Sequence, residues 1–236
     1  MFLVSSFYSF IDNSLFFGLF ISILAYILGV FLQKKFKLAL FNPLLLSIMA
    51  VIIFLSIFKI DYASYEKSAK YLNYLLTPAT IALAVPLYEK LQLLKKHFKA
   101  IILGITSGVI TSMLSVYVFS LLFNYTHEQY VTLLPKSITT SIGMELSKQL
   151  NGYETITVAV IIITGIIGNM LGTMLFKLFH INNPIARGLA LGTSSHAIGT
   201  ARAMELGEVE GAMSSLSIAL SGILTVILIN VFQLFI

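Results

Sequence analysis

The sequence predicts an all-α protein: a polytopic transmembrane helix bundle of about seven or eight elements, two of them broken or re-entrant, with a candidate inverted repeat. Of its 236 residues, 58% are hydrophobic and 11% are charged, whereas soluble domains carry about 25% charged residues. A mean hydropathy of +0.94 is incompatible with a surface covered by water. Long uncharged stretches are apolar on all sides, which indicates membrane helices and not the alternating strands of a β-barrel.

Six stretches without Asp, Glu, Lys or Arg mark the predicted spans or near-spans. They are residues 13–33, 38–58, 71–88, 100–127, 155–176 and 211–236. Each is close to the length of about 20 residues that a helix needs to cross a bilayer. We therefore predict a single integral membrane domain over residues 1–236. Its parts are N-terminal scaffold helices (1–60), two candidate repeat units (about 71–123 and 136–180), and a C-terminal motif segment with the last helix (185–236).

Two stretches between strong spans are only weakly apolar. Residues 136–150 carry polar groups throughout, and residues 188–205 contain the run GTSSHAIGTAR at positions 192–202. Irregular backbone is tolerated at membrane depth only where protein buries it or where it lines a cavity. The sequence therefore predicts that these stretches are broken or re-entrant.

The basic loops predict the orientation. Lysines cluster at residues 34–37 and 90–99, while the loop 124–135 has no Lys or Arg. Basic loops favour the cytoplasm, so both clusters are placed inside and the loop 124–135 outside. Lys177 follows the same rule only if 136–150 dips into the membrane and returns. The first basic residue is Lys34, so we expect insertion through the first helix and no secretory signal.

An internal similarity suggests the inverted repeat. Residues 77–87 align with 138–146 at an offset of about 60, and Gly104, Gly108 and Ser112 fall on Thr164, Gly168 and Gly172 at the same offset. The two units would cross in opposite directions. In transporters, paired segments interrupted by Pro or Gly mark the binding site. Pro78 and Pro86 are expected to break the first segment and Gly143 to loosen the second, although both residue types are frequent in membrane helices anyway.

Ionisable groups at membrane depth suggest the candidate chemistry, because they are costly there and usually functional. Glu145 and His196 are candidates for proton coupling, and Arg202 could hold a carboxylate with its guanidinium fork. The predicted substrate-binding residues are Thr77, Thr80, Thr139, Thr140, Asn169, Ser194, Ser195, His196, Gly199, Thr200 and Arg202.

For several of these residues a purely structural interpretation is an open alternative to a functional role. His196 could be a packed histidine with one hydrogen bond. Glu145 with Lys148, and Arg202 with Glu205, have the i,i+3 spacing of ordinary helix surface pairs. The glycine pairs at 168/172 and 188/192 are typical of close helix packing.

Enzyme signatures are missing from the sequence. There are no cysteines, no HExxH, P-loop, GxSxG or GxGxxG motif, and no acidic metal cluster. We predict that the protein is not an enzyme and uses no metal or cofactor. The net charge of +5 is explained by membrane orientation and not by nucleic acid.

Several runs resemble the LrgB/CidB family of antiholin-like and holin-like membrane proteins. They are residues 78–88, 133–147, 157–165 and 183–201, within a similarity that covers about residues 40–236. The most specific part is Ser-His-Ala-Ile-Gly-Thr-Ala at 195–201.

The resemblance implies two kinds of function. Bacterial members are described as modulators of murein hydrolases and autolysis that act with a small LrgA/CidA-type membrane partner. A plant relative is a plastidic glycolate/glycerate translocator, and some bacterial relatives are linked to pyruvate uptake. We therefore expect a bacterial plasma-membrane carrier of small monocarboxylates, or alternatively a holin-like regulator that transports nothing. The chain lacks the LrgA-like domain of plant members, which implies a separate partner, and a homodimer or higher oligomer is expected.

Overall fold

The computed structural model describes residue 11 and residues 14–36 and 41–236, and the regular secondary structure of these residues is entirely helical. Within these described residues, four helices are long and apolar enough to cross a membrane: Phe17–Phe36, Phe98–Phe123, Glu154–Leu178 and Glu208–Phe235. This confirms the predicted all-α membrane bundle. The chain divides into two compact units, Met1–Ile81 and Ala82–Ile236, which are described one at a time. The prediction from the sequence that residues 1–236 form a single integral membrane domain stays a prediction.

The first unit contains α1 (Phe17–Phe36), α2 (Pro43–Ile57), α3 (Tyr62–Ala69), a 3₁₀ helix (Lys70–Leu75) and the start of α4 (Leu76–Glu89). Asn42 begins α2 by accepting the backbone N–H groups of Leu44 and Leu45, with Pro43 at the first helical position. Gly18 lets α1 approach α3 closely, because a Cβ there would overlap the carbonyl oxygen of Tyr65, and its backbone N–H donates to Ser68 Oγ at 2.6 Å.

Helix α4 departs from the sequence-based expectation of a segment broken by proline. It continues through Pro86 to Glu89, and Pro78 lies in its first turn, where the missing backbone donor costs nothing. Pro86 lies in the last turn, where an interruption removes little helix. With 14 residues, α4 is shorter than the predicted stretch 71–88 because a 3₁₀ helix occupies Lys70–Leu75.

The second unit continues with seven helices and a terminal 3₁₀ turn. They are α5 (Leu91–Lys96), α6 (Phe98–Phe123), α7 (His127–Leu133), α8 (Thr140–Gln149), α9 (Glu154–Leu178), α10 (Pro184–Leu206), α11 (Glu208–Phe232) and Gln233–Phe235. Buried residues on α6 recur at helical spacing, which defines its packed face: Ile101, Ile105, Val109 and Met113.

Glycines on α6 set its direction relative to α10. A methyl group added to Gly104 would lie 3.4 Å from Leu189 Cδ1, and one added to Gly108 would lie 2.6 Å from Thr193 Cγ2. Residue numbers rise together along both helices. The first half of α10 therefore runs in the same direction as α6.

Glycines on α9 give the opposite result. A methyl group on Gly168 would overlap Ser195 Oγ, and one on Gly172 would lie 2.7 Å from Leu191 Cδ2. Here the numbers rise on α9 as they fall on α10, so α9 runs antiparallel to α6. Opposite directions for these two helices agree with the inverted arrangement expected from the sequence. The alignment of 77–87 with 138–146 spans both units and stays a prediction.

The segment α10 consists of two short helices that are joined by a kink at His196. The two helices form a hairpin, here named hairpin B (residues 184–206). Its first half runs parallel to α11 and its second half antiparallel. The close contacts that show this are Gly188 with Met213, Gly192 with Ser217, Thr200 with Ser214 and Met204 with Gly211. The chain therefore enters and leaves at the same end of the bundle.

His196 forms the reversal of hairpin B. Its backbone has φ 43° and ψ −136°, a region that a non-glycine residue occupies only when the surrounding structure holds it there. The imidazole Nε2–H donates to the carbonyl oxygen of Ile161 on α9 at 2.9 Å. Asn169 on the same helix donates to the carbonyl oxygen of Ile198 at 2.9 Å. Two contacts from α9 thus hold the irregular backbone of the tip.

A second re-entrant segment, hairpin A (residues 127–149), is formed by α7, a tip at 134–139, and α8. At its start, Tyr130 Oη donates to the carbonyl oxygen of Phe232 at the C-terminal end of α11. At its end, Ser147 Oγ lies 2.8 Å from Thr157 Oγ1 in the first turn of α9. Tyr153 N, just before α9, also donates to Thr132 Oγ1 in α7 at 2.8 Å, so both arms of the hairpin bond the start of α9.

The two hairpin tips reach the middle of the bundle from opposite ends. Lys136 in the tip of hairpin A bonds Ser112, about 21 Å along the roughly 39 Å of α6. The tip of hairpin B contacts Gly165, near the centre of α9. Each hairpin arm spans about 10–18 Å, too short for the roughly 30 Å hydrocarbon core. Both weakly apolar stretches of the sequence are therefore re-entrant.

Charged groups gather at the end of the second unit where hairpin B begins. Lys90 Nζ lies 2.8 Å from Glu208 Oε2, and this hydrogen bond raises the pKa of Lys90 above its ordinary value. Arg187 lies 3.9 Å from Glu210. The predicted cytoplasmic side is this end, because it also carries the lysine cluster at 90–99.

Cysteine labelling should detect both re-entrant segments, since the natural chain has no cysteine. Single cysteines at Glu128 and Gln149 flank hairpin A, and cysteines at Asn182 and Glu205 flank hairpin B. An impermeant maleimide added to intact cells is expected to label the first pair and to spare the second until the membrane is opened. Labelling of one member of either pair without the other would show that its segment crosses.

Candidate functional site

A cavity of about 1050 Å³ lies in the second unit between α6, α9, the first half of α10 and the tip of hairpin A. It extends from His97 and Asn183, at the end that carries the basic cluster, to Lys136 and Ser137 at mid-depth. The tip of hairpin A lies at its inner end, and Ser194 and Ser195 of hairpin B line it as well. Both re-entrant segments thus contribute to one site.

Lys136 is the charged group of this cavity. Its Nζ donates to Ser112 Oγ at 3.1 Å and to Ser137 Oγ at 3.3 Å, and the two hydroxyl oxygens are 3.0 Å apart. The three groups come from two elements, the middle of α6 and the tip of hairpin A. They form a compact donor cluster that faces the cavity.

The Lys136 ammonium has no acidic partner within the described part of the chain, where the ion pairs join Lys90 to Glu208, Arg187 to Glu210 and Arg202 to Glu205. An unpaired ammonium is costly at membrane depth, so such a group marks a place where an anion binds. A carboxylate would supply the missing countercharge and accept hydrogen bonds from the ammonium and from whichever of the two serine hydroxyls does not donate to the other.

Helix α6 supplies a polar wall. Its cavity-facing hydroxyls follow helical spacing: Ser107, Thr111, Ser112 and Ser115. Ser107 and Ser115 donate to carbonyl oxygens one turn back, Gly104 and Ser112 respectively. These bonds satisfy the hydroxyl protons inside the helix and leave oxygen lone pairs for a ligand or water.

The tip of hairpin B supplies the opposite polar group. Ser194 Oγ donates to the carbonyl oxygen of Ala190 at 2.7 Å and lies 3.0 Å from Ser195 Oγ. Thr193 is only 6% exposed, and its Oγ1 has no hydrogen-bond partner among the described residues. Such a group loses its hydration without compensation, so it is a second point at which a ligand would be favoured.

Four of the sequence-predicted residues support hairpin B from behind the cavity. His196 and Asn169 hold the tip on α9, as described above. Thr200 Oγ1 donates to the carbonyl oxygen of His196 and lies 2.7 Å from Ser214 Oγ. Gly199 allows the returning arm to pack on Leu191. Of the predicted binding residues, the structure places Ser194 and Ser195 on the cavity wall.

The remaining predicted residues lie elsewhere. Arg202 pairs with exposed Glu205 in the returning arm of hairpin B, and Glu145 on α8 is exposed and accepts a hydrogen bond from Gln149 at 3.0 Å. Thr139 and Thr140 begin α8 and are outside the cavity lining, Thr77 is exposed in the first unit, and the side chain of Thr80 lies outside the described residues. Their predicted roles stay predictions.

Sequence reasoning missed Lys136, Ser112 and Thr193 as site residues. The signals that could have indicated them are in the sequence: serines and threonines recur at helical spacing along α6, and Lys136 is a cation in a stretch that is predicted to be re-entrant. Only their convergence on one cavity singles them out. Among the described residues, no three His, Asp or Glu side chains come together as metal ligands.

The fold and the site define a multi-pass membrane protein with two opposed re-entrant hairpins around a largely apolar cavity that contains a cluster of polar side chains. The chain belongs to the LrgB-like family, whose model matches residues 22–235. It is 38% identical over 211 residues to the holin-like protein CidB of Staphylococcus epidermidis, and the aligned region covers 89% of this chain and 92% of that protein. It is 40% identical over 218 residues to the antiholin-like protein LrgB of Bacillus subtilis, covering 92% and 94%.

No solved structure matches the chain. The family names point to a non-enzymatic membrane protein, and the four membrane-length helices agree with a multi-pass protein of a bacterial membrane.

Proposed function

We propose that this protein is a carrier of small monocarboxylates such as pyruvate, glycolate or glycerate. The observation that carries the proposal is the Lys136–Ser112–Ser137 cluster, a cation with two hydroxyls and no acidic partner in the described chain, at mid-depth in a cavity. A carrier needs a binding site near the membrane midplane that is formed by interrupted segments. The two opposed hairpins have that arrangement.

The charge of the cavity favours a monocarboxylate over a dicarboxylate. Among the described residues that line it, Lys136 is the only Lys or Arg, and His97 at the far end is the other titratable group. His97 precedes α6 and is therefore about 20 Å along the helix from Ser112. A second carboxylate would have no cation beside it. Glu145 and His196 stay the predicted groups for a coupled proton.

A holin-like regulator that acts by assembly is the alternative, and it follows from the names of the relatives. It would use the glycine faces at residues 168/172 and 188/192 for contacts with other chains. In the structure those faces are covered within the chain: Gly168 and Gly172 pack on hairpin B, while Gly188 and Gly192 pack on α11. This packing leaves the cavity with its Lys136 cluster as the feature that needs a function.

Control of murein hydrolases and autolysis is compatible with the carrier. Movement of a small acid changes acidity and metabolism near the membrane, and these changes would act on lysis indirectly. We propose that an LrgA/CidA-type membrane protein is the partner, in line with the names of the relatives, and that the carrier forms a homo-oligomer.

Reconstitution tests the carrier against the alternative. Purified protein in liposomes is expected to take up labelled pyruvate or glycolate with saturable kinetics, while retaining a trapped dye of several hundred daltons. Protein-free liposomes are the control. Dye release together with non-saturable entry of the acid would support the holin-like alternative and refute the carrier.

A further inference from the structure

Thr193 has a buried hydroxyl with no hydrogen-bond partner among the residues that the structure describes. The residue is 6% exposed, lines the cavity, and lies on hairpin B where it packs against Gly108 of α6. Its neighbours Ser194 and Ser195 are hydrogen-bonded to Ala190 and to each other. Thr193 Oγ1 is therefore the polar atom of this tip that has no hydrogen-bond partner in the described structure.

The spacing between Thr193 and the Lys136 cluster matches a very short ligand. Thr193 packs at the level of Gly108, and Ser112, which bonds Lys136, is one turn further along α6. One turn of α-helix is about 5–6 Å along the axis. Hydrogen bonds of about 2.7–3.0 Å at each end take up this whole distance, so one ligand reaches both points only if its two oxygens lie close together, as on the adjacent carbons of a 2-hydroxy or 2-keto acid.

We propose that Thr193 is a specificity-determining residue, which binds the hydroxyl or keto oxygen of a two- or three-carbon acid whose carboxylate is bound by Lys136, Ser112 and Ser137. This inference rests on the proposed carrier function and adds the residue that selects among small acids at the same site. The carboxylate end of the substrate would contact the tip of hairpin A, and the hydroxyl or keto end would contact the tip of hairpin B. The two hairpins enter the bundle from opposite ends.

Discrimination follows from the unpaired hydroxyl. A hydroxy or keto acid gives Thr193 Oγ1 a partner, whereas a plain acid of the same size leaves it buried and unpaired. A site built to hydrogen-bond a substrate oxygen rejects the analogue that lacks this oxygen more strongly than a hydrophobic pocket rejects a wrong methyl group. Glycolate is therefore expected to bind at least about tenfold more tightly than acetate, from which it differs by one hydroxyl.

Calorimetric titration of the purified full chain in detergent tests this with glycolate and acetate. Thr193→Val keeps the shape and removes the hydroxyl, so it is expected to bind both acids equally, with the acetate affinity of the natural protein. Thr193→Ser keeps the hydroxyl and is expected to retain the preference for glycolate. Acetate binding by the Val variant also serves as the check that the variant is folded.

The inference is overturned if Thr193→Val keeps the natural preference for glycolate, or if both variants lose the preference to the same extent. Equal loss of glycolate and acetate binding in a monodisperse Val variant also overturns it, because Thr193 would then act on packing and not on the second oxygen. Failure of the proposed carrier has a different signature, since the natural protein would then bind neither acid and transport neither pyruvate nor glycolate.

Discussion

Replacement of Lys136 by methionine is expected to reduce the uptake of labelled glycolate into liposomes about 30-fold or more. The change removes the cation of the cavity and keeps an unbranched side chain of similar length. Loss of one member of a buried, hydrogen-bonded charge pair costs about 2–5 kcal/mol, and the lower figure corresponds to the 30-fold effect. The carboxylate would be left with the hydroxyls of Ser112 and Ser137 alone.

Lys148→Met is the matched control, because Lys148 is exposed on α8 and outside the cavity lining. It is expected to transport like the natural protein. Both variants are expected to be monodisperse in detergent, since an apolar side chain at Lys136 removes a costly unpaired charge. Equal transport by the two lysine variants would remove Lys136 from the binding site.

The second large effect is expected at Gly168, where hairpin B packs on α9. A methyl group on Gly168 would overlap Ser195 Oγ and would lie 2.8 Å from Ser195 Cβ, an atom that cannot rotate away. Overpacking of this kind costs about 1–3 kcal/mol. Gly168→Ala is therefore expected to lower the melting temperature in detergent and to reduce transport, because the displaced tip carries Thr193 and Ser194.

Gly104→Ala is the corresponding change on the other wall. Its methyl group would lie 3.4 Å from Leu189 Cδ1, an ordinary contact, and alanine favours the helix by up to about 1 kcal/mol. This variant is expected to be at least as stable as the natural protein and to transport normally. Comparable stability of the two alanine variants would contradict the close packing of hairpin B on α9.

Much of the fold follows from local features of the sequence. The uncharged stretches predict the long helices, and the pairs Asn42–Pro43 and Asn183–Pro184 provide the caps at which α2 and α10 begin. The weak apolar character of 136–150 and 188–205 predicts the re-entrant segments, because only cavity-lining or buried backbone tolerates such composition at membrane depth.

The site was less predictable than the fold. Arg202 and Lys136 look alike in the sequence as cations near weakly apolar stretches, yet Arg202 pairs with Glu205 while Lys136 faces the cavity. Arg202 lies in the returning arm of hairpin B, so its position depends on the chain reversal at His196, which is produced by the backbone conformation of that one residue. No local propensity predicts a non-glycine residue at that φ and ψ.

The sequence by itself determined that this is an integral membrane protein and that its long spans are helical. It also determined that the polar groups of functional interest are concentrated in the weakly apolar stretches 136–150 and 188–205. These are properties of composition and periodicity, which act within one segment at a time. Only the tertiary structure decided that Ser112, Lys136 and Thr193 belong to one cavity. Their convergence depends on glycine contacts between α6, α9 and hairpin B, because close packing over long sequence separations sets which side chains meet.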